Sequence, residues 1–427
     1  MNLQPSSSTI NQKKIFIAAA IGNIFEIFDF FVFVFLSNVI ADLFFPKSIG
    51  MLAIIFTYVT VSISYLLRPF GAIILGSLGD KYGRKSIFSL SILMTAIPSL
   101  IIGLSPTFHQ IGYFAVVILL ISRVFQGFAS GAELPGSVTY IAETYHKKNY
   151  YFYVAWMPFG ANMSIAIGSW LIHLMVEHMS HGVLYSYGWR IPFLLGSLLA
   201  VIGFYIRKNL TESAEFSQAV IKHKVHKVPF LVLFKHHKAK LTMGVFLVVI
   251  ASLITSVFHI FLPNLMVKFL HLDIAIAANI SSVGAFTISI VIILSALLTS
   301  KIKPMLIVKL ALVGLTISLL IIISGVFSLY NLTTLYGVVI TLSILVGCIN
   351  GVYFGLLVDL FPVDVRYSGV ATCFSVASLV GQGLTPLWTS SILAITNHFT
   401  LIIGICLAVT ILSFINSFFL DKHLARI

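Results

Sequence analysis

Arg68-Pro-Phe-Gly-Ala-Ile-Ile-Leu-Gly76-Ser-Leu-Gly-Asp80-Lys-Tyr-Gly83-Arg84-Lys85 is the stretch whose reading decides the fold. It begins as apolar helix and ends in a short charged turn. Its glycines let neighbouring backbones approach closely. Asp80 closes one apolar run, and Arg84 and Lys85 stand just before the next. A turn of about six residues leaves no room for a crossover, so the flanking helices are expected to be antiparallel neighbours.

The apolar runs on either side recur along the whole chain. Of its 427 residues, 59% are hydrophobic and 9% are charged, against roughly 25% charged in soluble domains. Many runs exceed the roughly 18 residues a spanning helix needs. The chain therefore reads as an all-α membrane protein of about twelve spans in two six-helix halves. Spans are expected over 15–40, 51–78, 86–104, 112–142, 151–176 and 189–205, then over 241–262, 274–298, 305–327, 335–357, 369–392 and 399–419. That leaves a polar tail at 1–14, a first half at 15–206, a central loop at 207–240, a second half at 241–420 and a tail at 421–427. The run after the first tail is too long for a signal-peptide core and carries two acids, so it reads as a retained first helix. The two halves look like diverged repeats: Glu143 closes the fourth span, and Asp359, with Pro362 and Arg366, closes the tenth.

The formal net charge is +13. Its positions explain it without a polyanionic partner, so no nucleic acid is expected. Basic residues cluster at Lys13 and Lys14, Lys81 to Lys85, Lys147 and Lys148, Arg207 to Lys240, Lys301 and Lys303, Arg366, and Lys422 with Arg426. The intervening segments are nearly free of them. This is the positive-inside pattern, and it puts both termini and the central loop in the cytoplasm. A juxtamembrane cationic segment is attracted to anionic lipid by about 1 kcal/mol per charge. Cys348, Cys373 and Cys406 lie in apolar runs and read as small core residues. Asn331-Leu-Thr333 is a sequon on the expected outer side.

Ionisable groups inside spans are expensive and are functional hypotheses by default. Glu26 and Asp29 are three apart on the first span and share a face. Arg123, on the fourth span, is expected at a similar depth. Glu133 lies about 15 Å further along that helix, at a depth like that of Arg68 on the second span. This gives two layers: Glu26, Asp29 and Arg123 near the midplane, with Arg68 and Glu133 below. Two acids against one arginine leave one carboxylate to titrate. A carboxylate out of water prefers its neutral form, and a nearby cation opposes that. Proton coupling is therefore expected of Glu26, Asp29, Arg123 and Glu133. A plain ion-pair network that locks the first, second and fourth helices together reads the same residues structurally.

The second half has no acid inside its spans. Its polar residues are His259, Asn264, Asn350, Tyr353, Ser375 and Gln382, and of these Tyr353 and Gln382 are taken as substrate contacts. Gly347-x3-Gly351-x3-Gly355 and Gly127-x3-Gly131 mark close helix contacts. His223 and His226, and His236 with His237, read as solvated loop histidines, and no metal is expected. There is no phosphate loop, nucleophile elbow or dinucleotide fingerprint. Neither an enzyme nor a cofactor is expected, and the energy source is then a proton gradient.

Several motifs add up to a resemblance. Gly76-x3-Asp80-x2-Gly83-Arg84-Lys85 resembles the loop between the second and third helices of the major facilitator superfamily. Gly22-Asn23-x2-Glu26-x2-Asp29-Phe30, Arg68-Pro69-Phe70-Gly71 and Ile102-Gly103-Leu104-x-Pro106 resemble its metabolite:proton symporter branch. So do Arg123-x2-Gln126-Gly127-x3-Gly131-x-Glu133 and Trp189-Arg190-Ile191-Pro192-Phe193. Phe361-Pro362-x3-Arg366-Tyr367-Ser368-Gly369 and Gly383-Leu384-Thr385-Pro386 extend it through the second half. The branch includes proline/betaine, α-ketoglutarate, citrate and shikimate permeases. The resemblance implies import of a small organic zwitterion or anion with protons, by alternating access around a midplane site. Carried over by position, it implies that Asp80, Arg84 and Glu143 form an inner gate.

There are departures. The second-half copy of the Asp80 turn is reduced to Ser300-Lys-Ile-Lys303-Pro304. Glu143 lacks the proline and arginine that usually follow it. With the chain ending at Ile427, the coiled-coil tail of the osmosensing permease is expected to be missing. The fifth span has only Gly160 and Gly168 around Ser164, which argues against drug antiport.

Arg123 is the first expectation for carboxylate capture, Arg68 the second, and Arg190, at the outer mouth, the third. Either Asp29 or Glu26 carries the proton. The partners implied are a small-molecule substrate, protons and the lipid bilayer, for a monomer in a bacterial inner membrane. A proton-driven exporter of an amphipathic compound and a non-transporting receptor on the same fold stay open.

Overall fold

A long apolar run in lipid must satisfy its backbone internally, which leaves the helix as its solution. The computed structural model describes residues 24, 28–50, 52–145, 150–222, 226, 228–261, 274–325, 331–396 and 399–425, and among them it contains helices and no strand. Residues 28–35 are helical and lead through Leu36 into α1 (Ser37–Phe44). Then come α2 (Leu52–Tyr82), α3 (Arg84–Leu104), α4 (Tyr113–Thr144), α5 (Tyr150–His178) and α6 (Arg190–Lys208). Two short helices follow, α7 (Ala214–Ile221) and α8 (Pro229–His236). The second half holds α9 (Lys238–Thr255), α10 (Ile274–Leu298), α11 (Pro304–Ile323), α12 (Leu332–Asn350), α13 (Tyr353–Leu360), α14 (Arg366–Ser378), α15 (Thr385–Thr396) and α16 (Thr400–Leu424). Ten helical stretches among the described residues are long and apolar enough to cross a membrane.

The turn after α2 is tighter than the sequence suggests. Only Gly83 separates α2 from α3, in place of about six residues. Its φ of 113° lies where side chains are strained, and a Cβ there would also strike the carboxylate of Glu212. That carboxylate is the reason the turn can be so short. It accepts the backbone N–H of Arg84 at 3.1 Å and of Lys85 at 3.2 Å, and so caps α3 from outside its own sequence.

Other boundaries move as well. The segment 207–240 is not plain loop, since it contains α7 and α8. Arg207, counted above as loop charge, belongs to the last turn of α6 and is fully buried. The tenth span breaks at Gly351 and Val352, between α12 and α13. At Gly351 the chain is pressed against Ser295 and the backbone of Ile292 on α10.

By packing, the described residues fall into two units, one drawn from Met1–Tyr145, Met163–Val232 and Val363–Thr372 and the other from His146–Asn162, Leu233–Pro362 and Cys373–Ile427. In the first unit α2 packs on α4, and α3 packs on α4 and α6. In the second α10 packs on α12, and α11 packs on α12 and α16. This is the same pattern six spans on, as diverged repeats require. The glycine stripes make these contacts: Gly127 and Gly131 of α4 lie against the α2 backbone at Ser64 and Arg68, and Gly347 of α12 lies against Val291 of α10. An apolar core that includes Phe33, Phe44, Trp189 and Phe193 fills the Gly112 end of the first unit. The three cysteines are unpaired with one another, and Cys373 and Cys406 are buried.

Candidate functional site

The first unit holds two layers of buried polar residues. The layer nearer mid-helix is built from the helical segment 28–35, α3 and α4. Asp29 is 8% exposed. Its Oδ2 accepts from Gln126 Nε2 at 2.8 Å, and the same amide nitrogen donates to Ser99 Oγ at 2.9 Å. Arg123 is 1% exposed, and its guanidinium lies 3.5 Å from the centroid of the Phe33 ring. Asp29 and Arg123 are near enough for their charges to interact, yet the direct partner of Asp29 is Gln126. Arg123 Nε and Nη2 have no hydrogen-bond partner among the described residues, and Asp29 Oδ1 has none either. Buried charged groups with spare hydrogen-bonding capacity are costly to leave so. Glu26 lies outside the described residues.

Arg68 on α2 is buried too, and stacks on aromatic rings instead of pairing with Glu133. Its guanidinium lies 4.3 Å from the Tyr65 ring centroid and 5.5 Å from that of Phe30, and its Nε has no hydrogen-bond partner among the described residues. Arg68 and Glu133, expected at a like depth, thus have different partners. Glu133 pairs with Arg207 of α6 at 2.6 Å and accepts from Ser91 of α3. Arg207 Nη1 also donates to the Phe88 carbonyl at 2.8 Å, with its guanidinium over the Phe88 ring. This arrangement ties α3, α4 and α6 together.

At the Gly83 end a second cluster gathers Asp80, Arg84 and Glu143, all 2% exposed or less. Arg84 Nη2 is 3.0 Å from Asp80 Oδ1, and Arg84 Nε is 3.3 Å from Glu143. Arg84 also donates to the carbonyls of Gly79 and Val363. Asp80 faces the first turn of α14: it accepts Tyr367 N–H at 3.1 Å, Ser368 N–H at 2.8 Å and the Ser368 hydroxyl at 2.6 Å. The opening N–H groups of a helix lack intrahelical partners and carry its positive dipole end, so a carboxylate suits them. Arg366 bridges Glu143 and Glu215. Ser213 donates to Glu143, and Tyr140 donates to the Thr211 carbonyl. His226 and Asp364 are 2.8 Å apart.

Two groups of residues were not foreseen as functional. Glu212 and Glu215, with Thr211 and Ser213, thread the segment after α6 into this cluster. The available signal was that they are the only two acids in an otherwise basic stretch. Arg207 gave no such signal, because it sits among loop cations in sequence.

Among the second-unit candidates, Tyr353 is buried at the start of α13, with its ring 4.3 Å from that of Phe354. Gln382 sits in a π-helical turn, Leu379–Gly383, a type of turn frequent at functional sites. Asn350 ends α12, and Ser375 is buried in α14. The side chain of His259 and all of Asn264 and His223 lie outside the described residues. Arg190, expected at a binding mouth, donates to the Gly103 and Ser105 carbonyls at 2.8 and 2.7 Å. Those carbonyls are at the C-terminus of α3, where a cation belongs. These bonds hold α6 against the end of α3. Among the described residues no group of three His, Cys, Asp or Glu side chains could hold a metal.

Residues 18–382 match the sequence profile of the Major Facilitator Superfamily. The chain belongs to that superfamily. Among curated relatives, the "Glycine betaine/proline/ectoine/pipecolic acid transporter OusA" of Dickeya dadantii (strain 3937) is 30% identical over 387 residues, 88% of this chain and 76% of its own. A "Putative proline/betaine transporter" of Staphylococcus haemolyticus (strain JCSC1435) is 30% identical over 408 residues, 94% of this chain and 86% of its own. Among solved structures, the proton:xylose symporter XylE bound to 6-bromo-6-deoxy-D-glucose superposes with a TM-score of 0.80 at 14% identity, covering 96% of this chain and 95% of that one. That likeness shows the major facilitator fold. The protein is thus a multi-pass membrane transporter of the superfamily and not an enzyme.

Proposed function

We propose that this transporter imports a small organic zwitterion or anion, of the proline/betaine or carboxylate-metabolite kind, together with protons. The observation that carries this reading is the pairing of Asp29 with Gln126 beside a buried Arg123, two of whose guanidinium nitrogens have no hydrogen-bond partner among the described residues. Arg123 donates to a substrate carboxylate, with Arg68 second. The rings of Phe30, Phe33 and Tyr65 around these guanidiniums give an apolar, weakly hydrated setting for the rest of a small solute. Asp29, or Glu26 three residues earlier in sequence, carries the proton. The names of the relatives support the substrate class, and proton coupling in the XylE structure agrees with the acid in the first helix.

The working cycle is alternating access in the inner membrane of a bacterium, with both termini cytoplasmic. The cluster of Asp80, Arg84 and Glu143 is the inner gate: it holds the start of α14 and must let go before the cytoplasmic path opens. A membrane potential supplies about 2.3 kcal/mol per charge per 100 mV. One pH unit adds about 1.4 kcal/mol, so one proton per cycle sustains roughly 500-fold accumulation when about 100 mV and one pH unit both contribute. The basic central segment lies on anionic lipid, and the working unit is the monomer.

Uptake into proteoliposomes tests this. Labelled proline, betaine, α-ketoglutarate, citrate and several amino acids are offered with and without an inward proton gradient. Gradient-dependent accumulation of one compound is expected. Asp29→Asn is expected to abolish accumulation while sparing exchange, and full accumulation by that variant rejects Asp29 as the carrier. Resistance to amphipathic compounds without uptake points instead to export, and ligand binding without movement to a receptor.

A further inference from the structure

The second unit contains an acid that the transport reading leaves without a role. Asp359 lies in the last turn of α13, the counterpart of Glu143 at the end of α4. Two adjacent phenols, Tyr150 and Tyr151 at the first turn of α5, both donate to it. Tyr151 reaches Oδ2 at 2.7 Å, and Tyr150 reaches Oδ1. The ring of Tyr151 lies flat enough on Gly355 that a Cβ there would collide with it. The two rings pack on one another, with centroids 4.7 Å apart. One carboxylate therefore has both oxygens taken by one helix start, and the glycine behind it makes the seat.

The chain has exchanged segments to reach this arrangement. Residues 150–162 come from the first half in sequence but pack within the second unit, and residues 363–372 come from the second half but pack within the first. In the first unit the exchanged segment is held by Asp80, Arg84 and Glu143. In the second unit the corresponding turn is reduced to Ser300-Lys-Ile-Lys303, with neither the acid nor the Gly-Arg pair. Asp359 is what meets the start of α5.

We propose that Asp359, Tyr150 and Tyr151 form a second gating lock, one that holds the first turn of α5 and replaces the missing charged turn. The proposal rests on the alternating-access reading given above. Among the described residues the lock is a carboxylate with two hydroxyl donors, and its release costs those two hydrogen bonds. These three are positioning residues and touch no substrate.

The test uses the full chain in proteoliposomes. Val154, 1% exposed and one helical turn beyond Tyr150, is replaced by Cys in a background where Cys348, Cys373 and Cys406 are Ala. The rate of N-ethylmaleimide labelling then reports release of the start of α5. Tyr150→Phe with Tyr151→Phe keeps both rings and removes both donors. It is expected to raise labelling about fivefold, the scale of two modest hydrogen bonds. Exchange is expected to stay within about twofold while net gradient-driven uptake falls about fivefold on the same scale. A variant that merely misfolds loses both activities together. Gly355→Ala displaces the Tyr151 ring without touching a hydrogen-bonding group, and is expected to act in the same direction. Asp359→Asn is the rescuing control, because a hydroxyl can turn to accept from the amide.

If the unaltered protein transports and both the double variant and Gly355→Ala label at its rate, the lock is overturned alone. If the unaltered protein takes up none of the compounds, the transport reading fails and the lock falls with it. The two failures are read in different assays.

Discussion

The two units hold an exchanged helix start in opposite ways. The first spends buried charge: Asp80, Arg84 and Glu143 are at most 2% exposed, and Arg366, Glu212 and Glu215 extend the set. The second spends one partly hydrated carboxylate and two phenols. Buried charges are costly to desolvate and strongly destabilising when one partner is lost. Hydroxyl donors at a wet edge cost little to break, because water replaces them. Of the two proposed locks, the first is then the costlier to break and the second the cheaper. In the proposed cycle that difference decides which lets go first.

The comparison is broken most severely at Arg84. Arg84→Ala leaves Asp80 and Glu143 buried without their shared cation. A loss of about 3–5 kcal/mol is expected, read as a drop in melting temperature of the purified protein in detergent. A melting temperature equal to that of the unaltered protein would mean that the charges are hydrated in solution and the strong lock is not one.

Next in size is the Glu133–Arg207 pair. Glu133→Gln and Arg207→Leu each leave a buried group short of its partner, and each is expected to cost about 3 kcal/mol. The double variant is expected to cost less than the sum by about 2 kcal/mol, within the range for contacting residues. Additive losses would show that the two side chains do not act as a pair.

Much of this was legible in sequence, for definite reasons. The helices follow from apolar length and the positions of Lys and Arg. The repeat was visible in the matching placement of Glu143 and Asp359, and the glycine stripes foretold the α2–α4 and α10–α12 contacts. The midplane acid was visible because a carboxylate inside an apolar run stands out. Partner choice was not legible. Glu133 was set with Arg68 by depth along the helix axis, but depth says nothing of azimuth, and α4 turns Glu133 toward α3 and α6. Arg190 looked like a mouth residue because it follows a polar stretch, yet the open carbonyls at the end of α3 were nearer. Arg207 was hidden by its basic neighbours, and the Asp359 lock by the ordinariness of two tyrosines.

The sharpest form of the comparison is one substitution made twice. Asp80 accepts from two backbone N–H groups, which can only donate. In Asp80→Asn the new amide NH2 must face one of those donors or Arg84, and no rotation relieves it. A loss of about 2–3 kcal/mol is expected, the cost of an unsatisfied buried donor together with a weakened charged bond. Asp359 accepts from hydroxyls, which can reverse roles. In Asp359→Asn the amide oxygen keeps one phenol as donor, and the amide nitrogen donates to the other. The melting temperature is expected to stay within about 2 °C, the span of a neutral surface change. The same exchange of an oxygen for a nitrogen thus gives a large effect where the partners are fixed and almost none where they can turn. Equal effects at the two positions would mean that the character of the donors does not separate the locks, and the contrast would have to rest on burial alone.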